Sequence, residues 1–162
     1  MGNCRSRKTR QNDDNELVTW KETTPFVAPV SNGIVIKVYD GDTITIASRL
    51  DGMGGDGGPM YRFSVRLNGI DTPEIKGGSG GENEKTVAVL ARDWLSSQIM
   101  HKRVILRNVC TEKYGRLLAD VWLGDDVHLN KCMIDKRFAV KYDGGTKNIP
   151  CGGDWLKYYN GN

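Results

Sequence analysis

The chain has 162 residues, of which 38% are hydrophobic and 27% are charged. This composition is typical of one modest globular domain, and it excludes fibrous, membrane-spanning and wholly disordered chains. The formal net charge is +3, but residues 1–10 contribute four basic and no acidic side chains, which leaves 19 basic against 20 acidic residues in the remainder. Overall charge therefore does not indicate nucleic-acid binding, and such a function has to be argued from a local site.

Residues 1–32 mix charged, polar and proline residues without a sustained period, which predicts a flexible N-terminal tail ahead of a domain over 33–162. The tail begins with M-G-N-C-R-S, which fits the N-myristoylation pattern with Gly2 as acceptor, and Cys4 offers a second acylation site. Two lipid signals hold a protein at a membrane, whereas one binds weakly. We therefore expect an intracellular protein with possible attachment to the cytoplasmic face of a membrane; a disordered basic start is the alternative.

The first half of the domain is predicted to be β-structure. Two runs rich in β-branched residues, GIVIKVY (33–39) and TITIAS (43–48), flank an Asp-Gly-Asp turn, which predicts a hairpin. The glycine-rich stretch 49–60 is expected to be a mobile surface loop. YRFSVRL (61–67) alternates between apolar and polar residues, which indicates a half-buried strand.

The second half adds a helix and two more strands. Residues 82–100 place apolar side chains, among them Leu90 and Trp94, at helical spacing, which predicts an amphipathic helix. RVILRNV (103–109) and LLADVWL (117–123) are predicted strands, and a short helix is expected near 127–137. Three strands, a helix and two strands is the order of a small five-stranded barrel of the OB type. A parallel α/β fold is disfavoured, because strands and helices do not alternate.

Two short segments concentrate carboxylates. D-G-D-T (40–43) and I-D-T-P-E (70–74) each place two acids at a tight turn, and hard cations such as calcium prefer several oxygen ligands. Each segment alone also has an ordinary explanation as a turn. An EF-hand is excluded, because the acids lack the spacing of that loop. Arg66 and Arg116 are residues whose guanidinium forks suit a phosphodiester, although single arginines are more often surface charges.

Three blocks of the sequence together resemble a known family. V-Y-D-G-D-T (38–43), R-L-N-G-I-D-T-P-E (66–74) and T-E-K-Y-G-R (111–116) occur in the order of the three active-site blocks of the staphylococcal nuclease (thermonuclease) family. The resemblance covers about residues 33–142. It implies an α+β fold, a five-stranded OB barrel with flanking helices, and a monomeric calcium-dependent nuclease that cleaves DNA and RNA at the bond to the 5′-oxygen.

The resemblance also implies a role for each matched residue. Calcium is expected on the carboxylates of Asp42 and Asp71 and on the backbone carbonyl of Thr72. Glu74 matches the proposed general base, which orients or deprotonates the attacking water. The residues that match substrate-contacting positions of the family are two arginines that hold the scissile phosphate (Arg66 and Arg116) and two residues near the sugar-phosphate backbone (Lys113 and Tyr114).

Three features depart from the family pattern, and two other functions stay open. The 49–60 stretch lengthens one connection, the long C-terminal helix is reduced to DWLKYY (154–159), and Tyr142 is a candidate base-stacking residue that aligns only with a gap. One alternative is a non-catalytic OB-type nucleic-acid-binding or scaffolding module, and the other is a calcium-dependent membrane-associated protein. Loss of Arg66, Asp71, Glu74 or Arg116 would favour the binding module, and none is lost. The membrane-associated alternative leaves both arginines unexplained.

Overall fold

The computed structural model describes residues 18–52, 58–112, 114–145 and 148–161. The strands are β1 (Asn32–Val38), β2 (Thr43–Ser48), β3 (Tyr61–Leu67), β4 (Ile70–Asp71), β5 (Arg103–Thr111), β6 (Leu117–Leu123), β7 (Val127–His128) and β8 (Val140–Lys141). The α-helices are α1 (Gly81–Ile99), α2 (Leu129–Asp135) and α3 (Trp155–Asn160), and two 3-10 turns lie at Trp20–Glu22 and Cys151–Gly153. No helix among these residues is long and apolar enough to cross a bilayer.

Five strands close into a barrel. β1 pairs antiparallel with β2 and with β5, β2 pairs antiparallel with β3, and β5 pairs antiparallel with β6. The barrel closes through a parallel pairing of β3 with β6, in which Val65 lies opposite Leu117 and Arg66 opposite Leu118. The predicted five-stranded OB fold with flanking helices is confirmed.

The barrel interior is filled by the inward-facing residues of its strands. Their β-branched and leucine side chains suit a closed pleated surface, where alternate residues point inward. Full burial of each such side chain contributes about 1.5–3 kcal/mol. The most deeply buried members are Val35, Ile44, Ile46, Val65, Leu67, Val104, Ala119 and Val121. The alternation predicted for 61–67 holds at Val65 and Leu67, which are buried. Tyr61, the first residue of the strand, is exposed instead.

Helix α1 packs against the barrel core. It occupies almost the predicted range, and Ala91, Leu95 and Ile99 pack into the core as expected. Leu90 differs from the prediction, because it lies 40% exposed beside the buried stripe rather than on it. Trp94 is partly buried against the core.

Three regions differ from the sequence-based expectation. The short helix expected at 127–137 is shorter, because its first residues form β7, which pairs with β6. The strand expected at 103–109 extends to Thr111 and is irregular at Asn108, whose φ is 53°. The packed chain begins before residue 33, since Val30 is buried in the core, while the domain boundary and the tail stay predictions.

The C-terminal segment is short but well packed. Asp154 caps α3 by accepting hydrogen bonds from the backbone N–H groups of Leu156 and Lys157 at 3.0 and 3.1 Å. Trp155 is buried against Val87 of α1 and Val140 of β8. Because β8 pairs with β4, α3 supports the strand that carries Asp71.

Candidate active site

One groove gathers most of the predicted site residues. It has a volume of about 740 Å³ and lies beside the junction of β3, β4 and the turn between β5 and β6. A groove of this size accommodates a nucleotide-sized ligand. The predicted site residues among its lining are Arg66, Asp71, Glu74, Tyr114 and Arg116, and Tyr142 lines it as well.

The hairpin turn between β1 and β2 places Asp42 behind this groove. The backbone N–H of Tyr39 donates to the Thr43 carbonyl at 2.9 Å, and the Asp42 N–H donates to the Asp40 carboxylate at 3.2 Å. Gly41 is required here, because a Cβ at this position would lie 2.9 Å from the Thr72 side chain. The close approach packs the first carboxylate segment against the second.

Arg66 joins the two buried carboxylates of the site. Its Nη1 lies 2.8 Å from Asp42 Oδ2, and its Nη2 lies 3.1 Å from Asp71 Oδ1. The two aspartates are only 3% and 2% exposed. The Arg66 Nη2 also donates to the Ile70 carbonyl at 3.3 Å. The turn, β3 and β4 thus meet at one guanidinium.

The electrostatics of this cluster are dominated by burial. Burial raises the pKa of Asp42 to about 7 and outweighs the opposing effect of the Arg66 charge. Burial acts to lower the pKa of Arg66, but the charges of Asp42 and Asp71 outweigh it and raise that pKa above its ordinary value. One guanidinium therefore does not compensate fully for two buried carboxylates.

The donor set fits a hard cation held by few protein ligands. No group of three or more His, Cys, Asp or Glu side chains is placed to hold a metal ion within the described ranges of the chain. The expected ligands are instead Asp42, Asp71 and the carbonyl of Thr72, which is also buried. Carboxylate and carbonyl oxygens suit calcium, and the incompletely compensated carboxylates favour additional positive charge.

The second arginine is held by the turn between β5 and β6. Arg116 Nε donates to the Glu112 carboxylate, and the backbone of the two residues is joined by a Glu112 N–H to Arg116 carbonyl bond of 2.9 Å. Gly115 closes this turn with a φ of 80°, which glycine adopts readily. Glu112 was not identified as a site residue from the sequence, although it lies within the T-E-K-Y-G-R block.

The other predicted residues lie at different depths. Glu74 is exposed at the groove, and Tyr114 is 74% exposed at its rim. Lys113, Gly2 and Cys4 lie outside the described residues. Two buried residues that the sequence reasoning missed support the site from behind, namely Asn130 and Glu84.

Asn130 fixes the turn that leads from β3 to β4. Its side-chain oxygen accepts from the Val121 N–H at 2.9 Å, and its Nδ2 donates to the carbonyls of Asn68 and Ala119 at 2.8 and 3.3 Å. A buried amide that satisfies three backbone groups holds them rigidly. Helix α2 thereby holds the turn that precedes Asp71.

Comparison with known proteins agrees with this geometry. Residues 64–150 match the family model described as "Staphylococcal nuclease homologue", a range that includes both arginines and Glu74 and begins after Asp42. A protein named "Uncharacterized endonuclease" from Escherichia coli O157:H7 is 26% identical over 127 residues, which cover 78% of this chain and 71% of that protein.

Two fungal proteins match a shorter part of the chain. A "Probable endonuclease" from Schizosaccharomyces pombe is 34% identical over 91 residues, which cover 51% of this chain and 37% of that protein. Another from Candida glabrata is 35% identical over 89 residues, which cover 52% and 33% of the two chains. Because the family model spans more than half of the sequence and the barrel has the expected form, this chain belongs to the staphylococcal nuclease homologue family.

Proposed function

We propose that this protein is a calcium-dependent nuclease that hydrolyses DNA and RNA at the bond to the 5′-oxygen. The observation that carries the proposal is one groove lined by two arginines, a buried carboxylate and an exposed carboxylate. These are the groups that phosphodiester hydrolysis requires: donors for the phosphoryl charge, oxygen ligands for a cation and a base for water. Family membership and the endonuclease names of the relatives also support it.

The two arginines bind the scissile phosphate in this proposal. Arg66 uses Nη1 and Nη2 on carboxylates and a carbonyl, which leaves its Nε–H and a second Nη1–H for phosphoryl oxygens. Arg116 uses its Nε–H on Glu112, which leaves its two terminal nitrogens. Both side chains are held by carboxylates before substrate binds, so less side-chain entropy is lost on binding.

Glu74 activates the attacking water. The chain leaves the protein core after Pro73, and Glu74 is the first exposed residue beyond this buried segment. An exposed carboxylate at the groove accepts a proton from water as the water attacks phosphorus. A positioned general base of this kind contributes about 10²–10⁴ in rate.

Asp42, Asp71 and the carbonyl of Thr72 are the proposed calcium ligands. When bound, calcium supplies positive charge that stabilises the phosphoryl oxygens of the substrate. Asp71 lines the groove and Asp42 lies behind it, and both are buried, where water screens charge least. Tyr114 and Tyr142 offer aromatic surface to the sugar and base on the outer side.

The proposal is tested with purified protein on single-stranded DNA, duplex DNA and RNA, each with calcium and with a chelator. We expect cleavage that requires calcium and products that carry 5′-hydroxyl and 3′-phosphate ends. Glu74→Gln should lower turnover by roughly 10²-fold while substrate binding stays close to normal. Glu82→Gln is the matched control, because Glu82 is an exposed glutamate of α1 outside the groove.

Two results would contradict the proposal. Binding of nucleic acid without cleavage of any of the three substrates would leave a non-catalytic OB-type module as the function. Full activity in the presence of chelator would show that the reaction does not require calcium.

A further inference from the structure

Glu84 is a buried acid that the proposed reaction does not use. It lies in the first turn of α1 and is 6% exposed. Buried carboxylates are costly unless hydrogen bonds compensate them. Glu84 Oε1 accepts from the backbone N–H of Glu74 at 3.0 Å, and Oε2 accepts from the backbone N–H of Gly80 at 2.7 Å.

These two bonds close a loop at both ends with one side chain. The loop runs over residues 74–80, between the buried segment Ile70–Pro73 and the start of α1. Each donor is a backbone group, so the carboxylate fixes the path of the main chain rather than a neighbouring side chain. The Glu74 nitrogen that donates to Glu84 is bonded directly to the Cα that carries the proposed base.

The loop sequence is shaped around this carboxylate. A Cβ at Gly78 would overlap the Glu84 carboxylate, and a Cβ at Gly80 would lie 2.8 Å from Glu84 Cβ. The main chain therefore wraps the carboxylate so closely that these two positions have no space for a side chain. Such a close fit is unnecessary for a helix cap alone, which needs only one N–H donor.

We propose that Glu84 is a positioning residue that sets the place of Glu74 at the groove. Glu74 is an exposed residue at the start of this loop, and the main-chain anchor supplies the positional precision that a general base requires. The inference rests on the proposed role of Glu74. It adds a residue on α1, outside the groove, on which turnover depends.

The test is a double-mutant cycle between Glu84→Gln and Glu74→Gln. An amide at position 84 keeps the shape but presents an NH₂ group to one of the two backbone donors, so one end of the loop is released. In the wild-type background, Glu84→Gln should lower kcat by about 10–100-fold with little change in KM. In the Glu74→Gln background, Glu84→Gln should lower kcat by less than about threefold, because the base that Glu84 positions is already absent.

Two further measurements keep the test decisive if Glu84→Gln is poorly folded. Gly78→Ala disturbs the same carboxylate from the loop side and should reproduce the kcat loss. Amide hydrogen exchange of the Glu74 and Gly80 N–H groups should become faster in Glu84→Gln, whereas Glu82→Gln should change neither exchange nor kcat.

The outcomes separate this inference from the proposed function. An equal loss from Glu84→Gln in both backgrounds, or no loss in the wild-type background, would overturn the positioning role while Glu74 stayed the base. Near-wild-type turnover of Glu74→Gln alone would refute the base assignment, and the positioning role with it.

Discussion

Replacing Arg66 with methionine tests the electrostatic balance of the site most directly. The change keeps the length of the apolar stem but removes the guanidinium that lies 2.8 Å from Asp42 and 3.1 Å from Asp71. The formal charge of the cluster then falls from −1 to −2. Removal of one partner from a buried ion pair costs about 3–5 kcal/mol, and the 16% exposure of the arginine side chain favours the lower end of this range.

The sign of the pH dependence follows from the pKa of Asp42. A carboxyl group with a higher pKa in the folded state binds its proton more tightly there than in the unfolded chain. The contribution of Asp42 to the free energy of unfolding therefore falls as the pH rises from 3.8, the ordinary pKa of the group, to about 7, its pKa in the folded protein. Loss of Arg66 removes a charge that opposes this shift. The destabilisation by Arg66→Met should therefore be largest above neutral pH and smaller near pH 5, where Asp42 is protonated.

The assay is urea denaturation of the metal-free protein, monitored by tryptophan fluorescence. The same measurement is then repeated with calcium. We expect a loss of about 3 kcal/mol in chelator at about pH 8 and partial recovery with calcium, which replaces the missing positive charge. Arg62→Met is the matched control, because Arg62 lies exposed on the same strand and makes no ion pair with any described residue. A loss below about 1 kcal/mol, or one that calcium does not reduce, would refute this account of the cluster.

Four other substitutions test the site and its support. Arg116→Lys keeps the charge but loses the planar fork and should lower kcat by about 10-fold or more in steady-state assays; unchanged turnover would remove Arg116 from phosphate binding. Asp42→Asn and Asp71→Asn should each weaken calcium binding in titration calorimetry, and unchanged affinity in both would exclude them as ligands. Trp155→Ala should lower the free energy of unfolding by about 3–5 kcal/mol in denaturant titrations, since it empties the space between α1 and β8; an unchanged midpoint would contradict that packing.

Much of the barrel could be predicted from the sequence because its strands carry a strong periodic signal. β3 and β6 occupy the predicted ranges 61–67 and 117–123, and α1 differs from its predicted range by one residue at each end. The pairing of β4 with β8 was not predictable, because two-residue strands show no period. That pairing nevertheless sets Asp71, a residue of the site, opposite Val140.

The supporting residues of the site could not be identified in the same way. Glu84 lies among polar residues at the start of α1, where an acid is usually solvated and favourable to the helix dipole. Its burial depends on how the preceding glycines fold back over it, which no local pattern specifies. Asn130 likewise is one polar residue in a short helix, and its backbone partners lie on β6 and, 62 residues away in sequence, at Asn68.

The parallel pairing of β3 with β6 means that the groove is built from segments distant in sequence. Arg66 is a β3 residue opposite Leu118, whereas Arg116 immediately precedes β6. Contacts between segments so distant in sequence form late, after the cost of closing the intervening chain has been met. The groove that holds both arginines therefore depends on closure of the barrel, and we expect a chain in which β3 and β6 are unpaired to lack nuclease activity.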